Sequence, residues 1–255
     1  MFRFPLVILF VSFVTLWLSV KFGILLAAKL SPVKSEERDD LTLVMSASLT
    51  LLGLLIGFSF SMAVSRYDQR KNYEEEEANA IGTEYVRADL LSANEADRVR
   101  QLLVQYLDQR ILFYTAWDQH RLESIDRETT RLQSDMWSTV QGAAKAQPTP
   151  IVALAVAGMN DVLNRQGYTQ AAWWNRIPFG AWSLMATIAI CCCVLTGYGS
   201  HRAGIAIFIV LPFLISIAFF LIADIDSPRR GVIHVVPQNL ISLSRSLHSS
   251  SGNQR

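Results

Sequence analysis

The stretch Leu41–Ser65, LTLVMSASLTLLGLLIGFSFSMAVS, contains no Asp, Glu, Lys or Arg, and it decides the class of the chain. A helix crosses the hydrocarbon of a bilayer with roughly 20 consecutive apolar residues, and this stretch is long enough. Its exit is abrupt, through Arg66-Tyr67-Asp68-Gln69-Arg70-Lys71. Two more charge-free runs follow later, Ile177–Ser200 and Ala203–Ala223, and a fourth, Phe4–Ala28, is broken only by Lys21. The sequence therefore predicts an all-α polytopic membrane protein with four transmembrane helices, at about 4–28, 41–65, 179–198 and 204–223. The whole chain agrees: 51% of residues are hydrophobic and 18% charged, against about 25% charged in soluble domains. A simple soluble enzyme is excluded.

Working outward, the chain divides into helices 1 and 2 (1–65), a charged region (66–176), helices 3 and 4 (177–226) and a tail (227–255). The first run follows Arg3 and exceeds the usual apolar core of a signal peptide, so it reads as a retained helix. The charged region is helical by pattern: no proline occurs between Pro32 and Pro148, and Gly82 is the only glycine between Arg66 and Gln141. Nothing stops helix 2 before Leu91, and Ile81, Tyr85, Ala88 and Leu91 form an apolar stripe. Ser92 with Glu95 fits a capping box, opening a helix that can reach Ala146. Pro148 and Pro150 end it, and an amphipathic helix follows from Ile151. Trp173 and Trp174 next to Arg176 suit a membrane interface. The serine-rich stretch from Ser242 is expected to lack fixed structure.

Lys and Arg near helix ends concentrate in the cytoplasm. Arg3, Arg66, Arg70, Lys71, Arg176, Arg229 and Arg230 fall on one side of a four-helix topology; Lys29, Lys34, Arg38 and Arg202 fall on the other. Both termini and the 66–176 domain, inserted between helices 2 and 3, are accordingly assigned to the cytoplasm.

Chemistry-bearing constellations are sparse. The four histidines are scattered, and no phosphate loop, dinucleotide fingerprint or GxSxG occurs. No enzyme activity, metal site or cofactor is expected, and a net charge of +1 leaves no footprint for nucleic acid. Cys191, Cys192 and Cys193 are consecutive and point in different directions, so they read as packing residues. Lys21 lies near the end of helix 1 and reads as snorkelling. Glu74–Glu77 spread around a helical turn and read first as a solvated face, with cation binding or a pore vestibule as the other reading. Asp224 and Asp226 close helix 4; they are either vestibule charges or boundary residues that pair with neighbouring arginines. In helix 2, Thr50, Leu54, Phe58 and Ser61 share one face at i, i+4, i+8 and i+11. Gly53 and Gly57 form a small-xxx-small pair. Spacing alone leaves a pore lining and ordinary helix packing both open.

Gly57-Phe58, then Ser61, then Val64-Ser65-Arg66-Tyr67 resembles the bestrophin family's pattern of Gly-Phe, a hydroxyl and Val-Thr-Arg-Trp. The segment Gly57–Thr83, the Ile177-Pro178 entry to helix 3 and Asp224–Gly231 resemble more closely the bestrophin-like proteins of bacteria and plastids. The resemblance implies a pore-forming homo-oligomer, a pentamer, that conducts inorganic ions across a bacterial inner membrane. Helix 2 would line the path, with Thr50, Leu54 and Phe58 as a hydrophobic neck and Gly57, Ser61, Ser65, Arg66 and Tyr67 as its motif. Thr50 departs from an apolar neck, Tyr67-Asp68 replaces a paired aromatic, and nothing matches the acidic calcium clasp of animal members. The alternative function is a non-conducting membrane scaffold or sensor whose helical domain binds a partner.

Overall fold

The computed structural model describes residues 5–29, 35–199, 205–229 and 231–252. Readings that rest on Arg3, Lys34, His201, Arg202 or Arg230 lie outside them. The described residues form eight α-helices: α1 Pro5–Lys29, α2 Ser35–Arg87, α3 Ala93–Thr115, α4 Gln119–Ala146, α5 Pro150–Trp174, α6 Phe179–Gly199, α7 Ile205–Asp226 and α8 Gln238–Gly252. Four helices are long and apolar enough to cross a membrane, and the four apolar runs of the sequence fall in α1, α2, α6 and α7.

The chain divides into two compact units, Met1–Tyr67 with Arg176–His234, and Asp68–Asn175 with Val235–Arg255. The first holds the apolar helices. Its core joins Leu16 and Val20 of α1, Leu52 and Ala63 of α2, Met185, Ala189 and Cys193 of α6, and Ile215, Phe219 and Ile222 of α7. Helices α1 and α6 meet backbone to backbone, because a Cβ on Gly197 would lie 2.1 Å from the Val20 carbonyl oxygen. A Cβ on Gly23 would lie equally close, 2.1 Å, to the Val194 oxygen. Glycine stands at both places because only it permits this approach. Cys192 and Cys193 are buried, free thiols, in keeping with a packing role. The Lys21 ammonium lies 5.4 Å from the Trp17 ring centroid.

The second unit is built on the apolar faces of α3, α4 and α5. Leu102, Leu103 and Leu107 of α3 are buried with Leu132 and Met136 of α4 and with Met159 and Val162 of α5. Helix α2 ends at Arg87 in a 3-10 turn, Ala88–Leu90, and the Ser92–Glu95 capping box opens α3. The helix that could run from Ser92 as far as Ala146 ends at Thr115, and the chain breaks at Ala116–Asp118. The Asp118 carboxylate accepts the Arg121 N–H at 3.0 Å, and this side-chain cap starts α4 anew. Thr149 caps α5 by accepting the Val152 N–H at 3.2 Å, with Pro150 in the first turn. Trp173 also departs from its expected place at an interface. It packs inside the unit against Phe113 and Tyr114, at centroid distances of 5.0 and 5.3 Å, while Trp174 is exposed.

The tail corrects a third expectation. Residues from Ser242 continue helix α8 to Gly252. Leu240 and Leu247 are buried, and this apolar face supplies the burial that serine-rich composition alone conceals.

Candidate functional site

Helix α2 carries every residue of the expected pore motif and two contrasting stretches. Along its apolar stretch, Leu52, Ser59 and Ala63 are buried. Thr50, Leu54, Phe58, Ser61 and Ser65 lie on the exposed part. Leu54 is 53% and Phe58 63% accessible. The Thr50 hydroxyl donates to the Ser46 carbonyl at 2.9 Å, which satisfies its polarity within the helix. Added Cβ atoms on Gly53 and Gly57 would meet nothing within 4 Å. This part of α2 is open in the single chain.

At the exit of the apolar stretch, Arg66 pairs with Asp226, with Nη1 3.4 Å from Oδ1. The same carboxylate accepts the Ile177 N–H, at 3.1 Å to Oδ2. One side chain thereby ties the end of α7 to α2 and to the entry of α6. Tyr67 packs against the apolar core beside it. Asp224 is buried too, and accepts the N–H groups of Val232 and Ile233 at 2.7 and 2.8 Å. A Cβ on Gly231 would lie 2.3 Å from the Asp224 carbonyl oxygen, so the chain turns back tightly on the helix end. Both carboxylates are buried and hydrogen-bonded inside the unit.

The charged stretch of α2 corrects the solvated-face reading of Glu74–Glu77. Arg70, Glu74, Glu77, Ile81, Glu84 and Ala88 recur at helical spacing and are all buried. Arg70 donates through Nε to the Ala172 carbonyl at 3.2 Å and through Nη2 to that of Asn175 at 3.3 Å, placing a cation at the carboxyl end of α5. Glu74 does the converse for α8: it accepts the Leu240 N–H at 2.9 Å and the Asn239 amide at 2.7 Å, a carboxylate at a helix amino end. Glu77 forms an ion pair with Arg110 of α3 and accepts the Thr169 hydroxyl of α5 at 3.2 Å. Burial opposes the Arg110 charge most, but Glu77, Tyr106 and Tyr114 together outweigh it and hold the guanidinium protonated above its usual range. The Arg110 guanidinium also lies 4.4 Å from the Phe113 ring centroid. Glu76, partly exposed, pairs with Arg165 of α5. Glu75 alone of the four is exposed.

Sequence reasoning missed this polar core. A buried helix face is ordinarily marked by an apolar stripe, and a run of charges ordinarily marks a solvated one. The signal was available in the spacing of Arg70, Glu74, Glu77 and Glu84, continuous with Ile81 and Ala88. Among the described residues, no group of three or more His, Cys, Asp or Glu could hold a metal ion.

The bestrophin-like domain matches residues 11–240, a span that takes in both the Gly57–Tyr67 motif and Asp224–Gly231. Among solved structures, a point variant of a bacterial bestrophin homologue from Klebsiella pneumoniae is 13% identical, with a TM-score of 0.71 over 96% of this chain and 97% of that one. A second structure of that homologue gives a TM-score of 0.67 at 14% identity, over 93% and 97%. A membrane-protein variant superimposes with a TM-score of 0.71 at 12% identity, over 95% and 98%. These likenesses show the fold. A comparison with curated proteins finds no match. With a family match over most of its length and the fold of bacterial bestrophin homologues, the chain belongs to the bestrophin-like family.

Proposed function

We propose that the chain is one subunit of a closed homo-oligomeric ion channel, with five subunits around a symmetry axis and the apolar stretch of α2 lining the path. The observation that carries this reading is the exposure of Phe58. It stands 63% accessible on a charge-free helix, uncovered by the chain's own apolar helices. Four helices of one chain enclose no aqueous path, and a ring of subunits gives such a face an axis to surround. Gly53 and Gly57, open in the single chain, suit the close approach of a neighbouring helix.

In this arrangement Thr50, Leu54 and Phe58 form the neck. A ring of phenylalanines offers no polar group to a dehydrating ion and stops flow by dewetting. The permeant class is an inorganic ion, the surroundings are a bacterial inner membrane, and the Lys and Arg distribution supports cytoplasmic termini and a cytoplasmic second unit. The burial of Glu74, Glu77, Asp224 and Asp226 in the single chain supports a structural role for these carboxylates rather than one as vestibule charges. The sequence suggests no set of acid, base and nucleophile that would support catalysis.

Ion flux into liposomes, measured with melting temperature on the same protein, tests the neck. Phe58→Ala and Phe58→Ser are expected to raise flux. Burying a phenylalanine fully makes its truncation cost about 3–5 kcal/mol; at 63% accessibility the loss should be well below that. Unchanged flux with a sharply lower melting temperature would overturn the neck and favour a scaffold that packs Phe58 between subunits.

A further inference from the structure

Glu84 is unlike the other carboxylates of the α2 stripe. Glu74 and Glu77 have hydrogen-bond partners on other helices. Glu84 is 0% accessible, and neither of its oxygens has a hydrogen-bond partner. An ionised carboxylate so placed loses its hydration with no hydrogen bond in exchange. A neutral carboxyl loses far less.

The packing around it is tight. Gly158 of α5 lies directly against the carboxyl, where a Cβ would sit 2.0 Å from Glu84 Oε2 and 2.7 Å from Arg87 Nη1. Glycine at this position lets α5 close over α2 with the carboxyl beneath it. Alongside runs a cleft of about 280 Å³, lined by Thr83, Arg87, Gly158, Asp161 and Arg165 among others. Gly158 and Arg87, which both border the carboxyl, also line this cleft. The charged groups acting on Glu84 are Arg87 of α2 and Asp161 of α5. Along the cleft, Arg165 of α5 is paired with Glu76. In the 3-10 turn Asp89 is paired with Arg100 of α3.

We propose that Glu84 is a proton-binding site that sets how closely α5 packs on α2. With the proton on, the neutral carboxyl rests against Gly158 and the helices stay closed. With the proton off, the carboxylate needs a donor, and Arg87, which also borders Gly158, or solvent entering the cleft can supply one. Reaching either draws the side chain out from beneath Gly158 and loosens α5. The operating range follows from the surroundings: burial raises the Glu84 pKa most, Arg87 opposes that, Asp161 adds to it, and the result is about 8. A carboxyl whose folded-state pKa lies above its unfolded value stabilises the closed form fully at low pH, and loses that contribution as pH rises through about 8.

Hydrogen exchange of the α5 amides, corrected for the intrinsic pH dependence of exchange, reads the switch in the purified full chain. Protection over residues 152–163 should fall several-fold between pH 6.5 and 9. In Glu84→Gln, which keeps the shape and removes the titration, protection should stay high and flat. Asp161→Asn should move the midpoint to lower pH and Arg87→Gln to higher pH; both retain Glu84, so the test survives a poorly folded Glu84→Gln. A transition kept in Glu84→Gln, absent from the unmodified chain, or unmoved by both charge substitutions overturns the proposal. None of these readouts depends on conduction, so a failed flux experiment and a failed exchange experiment remain distinguishable.

Discussion

Removing Arg110 should cost far more stability than removing Arg110 and Glu77 together. Both side chains are essentially inaccessible, at 2% and 0%. A buried pair broken on one side leaves an uncompensated charge, a penalty of about 3–5 kcal/mol. Arg110→Met keeps the aliphatic length but leaves Glu77 with only the Thr169 hydroxyl. Glu77→Leu leaves the guanidinium with only the Phe113 ring, a contact of about 0.5–2 kcal/mol that is too small to hold a desolvated cation. Near 2–4 °C per kcal/mol for chains of 150–250 residues, each single variant should melt roughly 6–20 °C lower. The double variant Glu77→Leu/Arg110→Met buries no charge, and apolar replacement of a buried pair is often neutral or stabilising. It should recover most of the loss, giving a coupling energy of about 3 kcal/mol or more. The assay is thermal loss of the monodisperse peak in detergent at one fixed heating rate, since such unfolding is commonly irreversible. Additive shifts, or single variants within two or so degrees of the parent, would refute the account of α2 as the polar centre of its unit.

Three further substitutions test local features. Glu74→Ala removes the acceptor of the Leu240 N–H; losing a helix cap costs about 0.5–2 kcal/mol, so trypsin should cut at Arg245 in α8 several-fold faster, and an unchanged rate would mean α8 is held by its leucines alone. Gly197→Ala drives a methyl to 2.1 Å from the Val20 carbonyl oxygen, and overpacking of about 1–3 kcal/mol or more should lower the melting temperature. Gly142→Ala, where nothing lies within 4 Å, should leave it unchanged or raise it.

The apolar helices were legible because their signal is long and one-dimensional. A charge-free run such as Leu41–Ser65 has few alternatives in water. The α3 start was legible for a local reason, since Ser92 and Glu95 satisfy one another within one turn. What failed depended on partners distant in sequence. Nothing near Glu77 announces Arg110 of α3 or Thr169 of α5, and the role of Glu74 appears only when α8 is in place. The break at Ala116–Asp118 escaped because the alternation of charged and apolar residues carries on through it, while the Asp118 cap is a single side chain. Phe58 was legible as one of a face, but spacing gave no direction for that face; its exposure needed the positions of α1, α6 and α7.

The two stretches of α2 invert the usual rule in opposite senses. The charged stretch buries Arg70, Glu74, Glu77 and Glu84, and the apolar stretch exposes Leu51, Leu54, Phe58 and Phe60. The first inversion is resolved within the chain for three of the four, because each finds a charge, a helix end or a hydroxyl on another helix. Glu84 is the exception, and a proton resolves it. The second inversion has no resolution among the described residues. Contiguous exposed apolar surface of this kind marks contact with lipid or with protein. Lipid alone would account for the leucines. It gives no reason for Gly53, Gly57 and Ser61 to share that open surface with Phe58, since small residues gain nothing from acyl chains but let helix backbones meet. A surface that combines close-approach glycines with a stripe of Thr50, Leu54 and Phe58 suits two neighbours at once, another α2 on one flank and an axis on the other.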